Sequence, residues 1–196
     1  MTGGEPPVDA KRRLFVAVPL PSELLGFVRE AQGLLPRLPG LRLMREDQLH
    51  VTLAFIGEVD EGTMAAARAV VESVPADMGG EGTIERFLFI PSPKKARVVA
   101  LDVADADDVF GRLFRLVMDG MEAGGVMERE KRPFRPHLTV ARLRSPGPVQ
   151  PRSESGRARF AVESVCLYES ELRREGAAYT VLARTVLTRR DAQETG

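Results

Sequence analysis

Two copies of one four-residue pattern constrain this chain more than any other feature of its sequence. Each copy reads histidine, apolar residue, threonine, apolar residue, and the copies occupy residues 50–53 and 137–140. The 196 residues include only two histidines, so both belong to the pattern. β-branched and large apolar residues surround each copy, which predicts that each lies in a β-strand. The fold must therefore accommodate two similar strands.

Strand geometry places each histidine beside its own threonine. Side chains at positions i and i+2 of a strand point to the same face, so His50 shares a face with Thr52, and His137 with Thr139. Two such strands brought together would surround one small space with two imidazoles and two hydroxyls. Imidazoles exchange protons near neutral pH, and hydroxyls can hydrogen-bond the oxygens of a tetrahedral anion. The pattern indicates phosphate chemistry that requires no metal.

The remaining sequence predicts an α+β fold. Strand-like runs cover residues 14–18, 41–44, 49–56, 82–90, 97–103, 137–143, 159–168 and 179–187. Apolar residues at helical spacing predict three helices, one capped by Ser22, one starting at Asp60 and one across residues 109–121. We expect two antiparallel sheets with pseudo-twofold symmetry around a central cleft and helices on the outside. One bilobal domain over residues 13–188 would lie between flexible tails at 1–12 and 189–196.

Composition narrows the classes of partner. The 28 basic and 28 acidic residues balance, so no global field draws the protein to nucleic acid or an anionic membrane. The single cysteine, Cys166, excludes an internal disulfide and a multi-cysteine zinc site. Residues 1–11 lack a signal-peptide core, and no long apolar run exists, so we expect a cytoplasmic protein without membrane association. We also expect a monomer that needs no cofactor and no obligatory protein partner.

The residues around the tetrads resemble a known superfamily. The segments RLFVAVPLP at 13–21, LHVTLAFIGE at 49–58, FRPHLTVAR at 134–142 and LYES at 167–170 are similar, in sequence and order, to 2H phosphoesterases. They look most like the bacterial and archaeal RNA 2′,3′-cyclic phosphodiesterases, once called 2′-5′ RNA ligases. The resemblance spans about residues 13–187. It implies the bilobal 2H fold.

The resemblance also implies an activity and a role for each site residue. Water would open the 2′,3′-cyclic phosphate at an RNA end to a 2′-phosphomonoester. His50 matches the histidine that donates a proton to the leaving 3′ oxygen, and His137 the histidine that accepts one from water. We expect Thr52, Thr139 and Arg142, on the same two strands, to bind the substrate. Run in reverse, the same site would join a cyclic end to a 5′ hydroxyl through a 2′-5′ bond.

The residues alone leave several points open. Arg142 lies five positions after His137, an odd offset that puts it on the opposite face of a regular strand unless the strand bends or twists. Phe15 and Phe55 could stack on a base or fill the core. The basic residues at 129–135 and 94–97 could steer RNA or simply be solvated. A zinc site would need an added carboxylate such as Asp47.

Other substrates and a non-enzymatic role also remain alternatives at this stage. The same chemistry could act on a small cyclic nucleotide, an ADP-ribose cyclic phosphate or a 2′-5′ oligonucleotide. A module of another class would keep the cleft only to bind RNA ends or nucleotides. Comparing rates on oligonucleotide and mononucleotide substrates separates the substrate alternatives, whereas the binding module predicts saturable binding without product. No phosphate-binding glycine loop or GxGxxG segment is present in the sequence, so ATP use is not indicated.

Overall fold

The computed structural model describes residues 11–173 and 176–189. The strands are β1 (Arg12–Pro19), β2 (Leu41–Leu43), β3 (His50–Val59), β4 (Gly80–Ile90), β5 (Ala96–Ala104), β6 (His137–Gly147), β7 (Ala158–Val162), β8 (Ser164–Arg173) and β9 (Gly176–Val186). The helices are α1 (Leu25–Gly33), α2 (Glu61–Glu72) and α3 (Val109–Ala123). In these ranges no helix has the length and apolarity needed to cross a membrane. Most of the two expected tails lies outside the described residues.

The strands form one antiparallel sheet with two lobes. Their order is β7-β4-β5-β6-β3-β1-β8-β9, and β2 pairs with β6 beside β3. One registered pair, Val51 with Leu138, joins β3 to β6 and so joins the lobes. The predicted α+β class is confirmed, although the two expected sheets are fused at this pair. Each lobe would otherwise leave an unpaired edge of backbone groups there, and pairing satisfies some of them.

The chain changes lobes inside one apolar run. Residues 159–168 were expected to form one strand, but β7 pairs with β4 in one lobe and β8 pairs with β1 and β9 in the other. Glu163 separates these two strands. Periodicity cannot reveal this change because both strands are rich in apolar residues. Which strands β7 and β8 pair with depends on contacts between segments that are distant in the sequence.

Helices cover one face of the sheet. α2 packs on β1, β8 and β9, α3 packs on β3 and β4, and α1 packs on β6. The predicted start of α2 is confirmed, since the Asp60 carboxylate accepts a hydrogen bond from the Thr63 N–H at 2.7 Å. The predicted cap at Ser22 is wrong. Ser22 begins a short 3₁₀ turn, Pro21 holds the extended position before it, and no side-chain cap forms.

Both tetrad strands carry a β-bulge at the same place. In β3 the extra residue is Leu53, opposite β1, and in β6 it is Val140, opposite β5. Each extra residue directly follows the threonine of its tetrad. A bulge of one residue shifts the alternation of side chains, so the fifth residue after each histidine returns to the face of that histidine. Those fifth residues are Phe55 and Arg142.

Candidate active site

Both tetrads line one cavity on the concave face of the sheet. Its volume is about 540 Å³, and it lies where β3 meets β6. Extending the β3–β6 register by one residue in each direction places His50 opposite Thr139 and Thr52 opposite His137. All four side chains line the cavity. The structure thus brings together the four tetrad residues that the sequence analysis selected.

A backbone carbonyl orients His137. The His137 Nδ1 lies 2.8 Å from the carbonyl oxygen of Arg135. Because a carbonyl oxygen can only accept, this hydrogen bond assigns the proton of the neutral ring to Nδ1. The Nε2 of that tautomer has a free lone pair. His137 is therefore set up to accept a proton at Nε2.

A buried carboxylate holds the strand end that carries His137. Asp102 is only 8% exposed and lies opposite His137 on β5. It accepts hydrogen bonds from Nε and Nη2 of Arg135 at 2.9 and 2.8 Å, and Arg86 lies 3.3 Å away. Hydrogen bonding from Arg135 lowers the pKa of Asp102 below its usual value. The ionised carboxylate anchors Arg135, whose carbonyl in turn orients His137.

Aromatic rings surround His50. Its ring centroid lies 4.8 Å from Phe15, 5.4 Å from Tyr179 and 6.2 Å from Tyr168. Burial lowers the pKa of His50 from 6.5 to about 4, the positive charges of Arg142 and His137 act in the same direction, and a backbone hydrogen bond at Gln48 opposes them. In the free protein at neutral pH, His50 is therefore uncharged.

We expect this depressed pKa to be visible by NMR. With only two histidines, a His137→Gln variant assigns the imidazole signals, and the His50 signal should titrate with a midpoint near pH 4. Adding inorganic phosphate should raise the midpoint, because an anion favours the imidazolium. A free-protein midpoint of 6 or higher would contradict this account.

The lowered pKa of His50 also makes the stability of the folded protein depend on pH. Between pH 6.5 and about 4 the unfolded chain binds the His50 proton and the folded chain does not, so the free energy of unfolding falls as the pH is lowered. The loss is at most about 3 kcal/mol and smaller where water reaches the ring. A His50→Gln variant should lose less stability over this range in chemical denaturation.

Arg142 and Phe55 both face the cavity. The position of Arg142 was open from sequence; the bulge at Val140 supplies the bend it needs, and Arg142 lines the cavity close enough for its charge to affect His50. Phe55 is 63% exposed and lines the same cavity, so it is not a core residue. Its offset from His50, identical to that of Arg142 from His137, was the signal that could have indicated this.

The structure also bears on the other points that the sequence left open, namely Phe15, the zinc alternative and the basic loop. Phe15 is buried in a small cluster with Tyr168, and this cluster reaches the cavity, which Phe15 helps to line. Asp47 pairs with Arg45 at 2.8 Å rather than facing the histidines. Among residues 11–173 and 176–189 no three potential ligands are grouped to hold a metal ion. Three arginines of the expected basic loop are already in ion pairs with carboxylates, namely Arg129, Arg132 and Arg135.

The cavity has two chemically different ends. Because β3 and β6 are antiparallel, the residues that follow each histidine run in opposite directions, so Phe55 and Arg142 lie at opposite ends. Beyond Phe55 the cavity continues into a groove of about 460 Å³ that is lined mainly by apolar residues, with Glu130, Arg132 and Arg135 also on its wall. The stacked rings of Phe114 and Phe134, 4.3 Å apart, line this groove. One end therefore carries aromatic rings together with Arg13, and the other carries Arg142.

The two-lobed antiparallel fold, with two imidazoles and two hydroxyls around one cleft, defines a two-histidine phosphoesterase. The sequence profile of the 2′-5′ RNA ligase superfamily matches residues 20–174. The chain belongs to this family, the 2H phosphoesterases, and is an enzyme of the cyclic phosphodiesterase class. The family membership and the fold expected from the resemblance are both confirmed.

Several relatives match over most of their length. A Thermus thermophilus protein named RNA 2′,3′-cyclic phosphodiesterase is 30% identical, with 88% of each chain covered. A Methanothermobacter thermautotrophicus protein of the same name is 31% identical, with 87% of this chain and 96% of the relative covered. The crystal structure of E. coli LigT in apo form is 26% identical, with a TM-score of 0.72 over 92% of this chain and all of LigT. LigT is also known in complex with ATP.

Proposed function

We propose that this protein hydrolyses the 2′,3′-cyclic phosphate at the 3′ end of RNA to a 2′-phosphomonoester, without a metal. The observation that carries the proposal is the crossed register of β3 and β6, in which each histidine lies opposite the threonine of the other tetrad. This register gathers both tetrads around one cavity. The names of the relatives support RNA as the substrate. The ATP complex of LigT supports a cleft that accepts nucleotides.

Two proton transfers would accompany hydrolysis. The Nε2 of His137 accepts a proton from water as the water oxygen bonds to phosphorus, and the bond from phosphorus to the 3′ oxygen breaks. His50 donates a proton to the departing 3′ oxygen, which leaves a 3′ hydroxyl and a 2′-phosphate. Product release and proton exchange with solvent restore both histidines. Each transfer of this kind contributes about 10²–10⁴-fold to the rate.

The negative charge of the substrate would prepare His50 for its role. His50 is neutral in the free protein at neutral pH, as its pKa of about 4 requires. A bound phosphodiester places an anion beside the ring and favours its protonation, so the acid forms in the complex. Thr52 and Thr139 would donate hydrogen bonds to the non-bridging oxygens, and Arg142 would offset their charge.

The same groups would also join two RNA ends, with a 5′ hydroxyl in place of water as the nucleophile. A 5′ hydroxyl of a second RNA would replace water, lose its proton to His137 and attack the phosphorus. The 3′ oxygen would leave with a proton from His50, and the product would carry a 2′-5′ bond. Water is in large excess in solution, so hydrolysis should dominate.

One incubation tests the reaction. The EDTA-treated protein is mixed with an RNA oligonucleotide that ends in a 2′,3′-cyclic phosphate, and the products are separated by chromatography and treated with phosphatase. We expect a phosphatase-sensitive 2′-phosphate end to form with EDTA present. A cyclic end that stays intact while a 2′,3′-cyclic mononucleotide is opened would move the substrate to small nucleotides. No turnover of either substrate would refute the proposal.

A further inference from the structure

Two arginines lie directly opposite each other on β2 and β6, and one of them, Arg142, lines the cavity. Arg42 on β2 pairs with Arg142 on β6. Like charges that face each other across an antiparallel pair are destabilising, because their Cβ atoms are only about 5 Å apart. Within the part of the chain that the structure describes, neither arginine takes part in an ion pair. Among the described residues, no carboxylate lies within ion-pair distance of Arg42 or Arg142 to offset the repulsion between them.

The alternation of side chains places Arg42 on the cavity side of β2. Leu41 and Leu43 line a separate groove on the other face. Met44 lines the cavity, and its N–H continues the ladder by donating to the Val140 carbonyl at 2.9 Å. Arg42 and Met44 are two residues apart and so share a face.

The far end of the Arg42 side chain reaches the hairpin between β8 and β9. A Cβ atom added to Gly176 would overlap the Nη2 of Arg42, so the guanidinium lies against this glycine. The next residue, Ala177, lines the cavity. Arg42 thus stands at the cavity rim, one strand beyond Arg142.

We propose that Arg42 binds the phosphodiester on the 5′ side of the cyclic end, so that the enzyme favours RNA over a cyclic mononucleotide. This inference rests on the proposed function. Arg142 lines the cavity and its charge reaches His50, so we assign Arg142 to the reacting phosphate. Arg42 lies directly opposite Arg142 on β2, where it can meet the next phosphate along the strand. A guanidinium matches the geometry of a phosphodiester, and two neighbouring phosphates, one at each arginine, offset the repulsion between the two positive charges. A cyclic mononucleotide has no such phosphate.

The test compares an Arg42→Gln variant with the wild type on two substrates. One is a short RNA that ends in a 2′,3′-cyclic phosphate, and the other is a 2′,3′-cyclic mononucleotide. On RNA we expect KM to rise about tenfold with little change in kcat, and on the mononucleotide less than a twofold change in kcat/KM. The slope of log kcat/KM against log salt on RNA should become shallower by about 0.7.

Two matched variants control for charge and for the aromatic end. Arg37→Gln removes the same charge from the separate groove and should leave both substrates unaffected. Phe55→Ala removes a ring that would stack on the terminal base, so it should raise KM for both substrates alike. The thermal midpoint of Arg42→Gln should equal or exceed that of the wild type, because one of two repelling charges is gone.

The outcomes separate the two proposals. Equal losses on both substrates, or no loss on RNA, would overturn the role of Arg42 while leaving the proposed function intact. A lower thermal midpoint with equal losses would identify Arg42 as structural. If the wild type opens neither substrate, the proposed function itself fails. Retention of the RNA preference in an Arg42→Lys variant, which keeps the charge, would support a phosphate contact.

Discussion

Replacement of either His50 or His137 by alanine is expected to lower kcat on cyclic-phosphate RNA by at least about 10³-fold. Each variant removes one of the two proposed proton transfers at the same phosphorus. Because both transfers serve one transition state, the double variant should be little worse than either single variant. Rapid-quench or steady-state kinetics on the same oligonucleotide would measure both effects.

The fold should tolerate these substitutions. Both histidines line the cavity rather than the large core between sheet and helices, and alanine suits the cavity wall. We expect thermal unfolding midpoints within a few degrees of the wild type at pH 7, where His50 is neutral in either state. An alanine variant that keeps more than a tenth of the wild-type kcat would remove that histidine from the mechanism.

Replacement of Thr52 or Thr139 by valine is expected to lower kcat by about 10²–10³-fold, the usual effect of losing one hydrogen-bond donor to developing charge. Valine has nearly the same shape as threonine, so the change removes the hydroxyl and little else. The crossed register places each threonine opposite the histidine of the other tetrad. Losing either hydroxyl should therefore weaken the hold on the phosphate shared by both histidines.

An exposed strand threonine serves as the control for these valine variants. Thr180 on β9 faces away from the cavity, next to Tyr179, which faces it, and Thr180→Val should leave kcat unchanged. If Thr52→Val and Thr139→Val behave like Thr180→Val, the two hydroxyls do not stabilise the negative charge of the transition state. An increase in KM alone would mean that they bind the substrate and transition state equally.

The predicted strands and helices agree well with the structure where local pattern decides. The buried run at 14–18 became β1, and the apolar stripe across 109–121 became α3. Agreement ends where the fold depends on distant partners. Residues 159–168 belong to two strands in different lobes, which no local pattern distinguishes. Ser22 also failed as a cap because Pro21 already occupied the extended position that precedes the turn.

The sequence by itself determined which side chains the candidate site contains. The two tetrads identify the imidazoles and hydroxyls, and the geometry of a strand alone puts each histidine on the face of its own threonine. This relation is local, since it involves residues two positions apart. The residues that flank the tetrads were sufficient to indicate the family, because that resemblance also depends only on the order of residues along the chain.

The tertiary structure alone decided how those groups meet. The β3–β6 register crosses the tetrads, and the paired bulges turn Phe55 and Arg142 toward the cavity. Burial lowers the pKa of His50 to about 4, and the rings packed around it come from β1, β8 and β9, the last two more than a hundred residues away along the chain. Strand register and burial depend on contacts between distant segments, and a pattern within one segment does not contain that information.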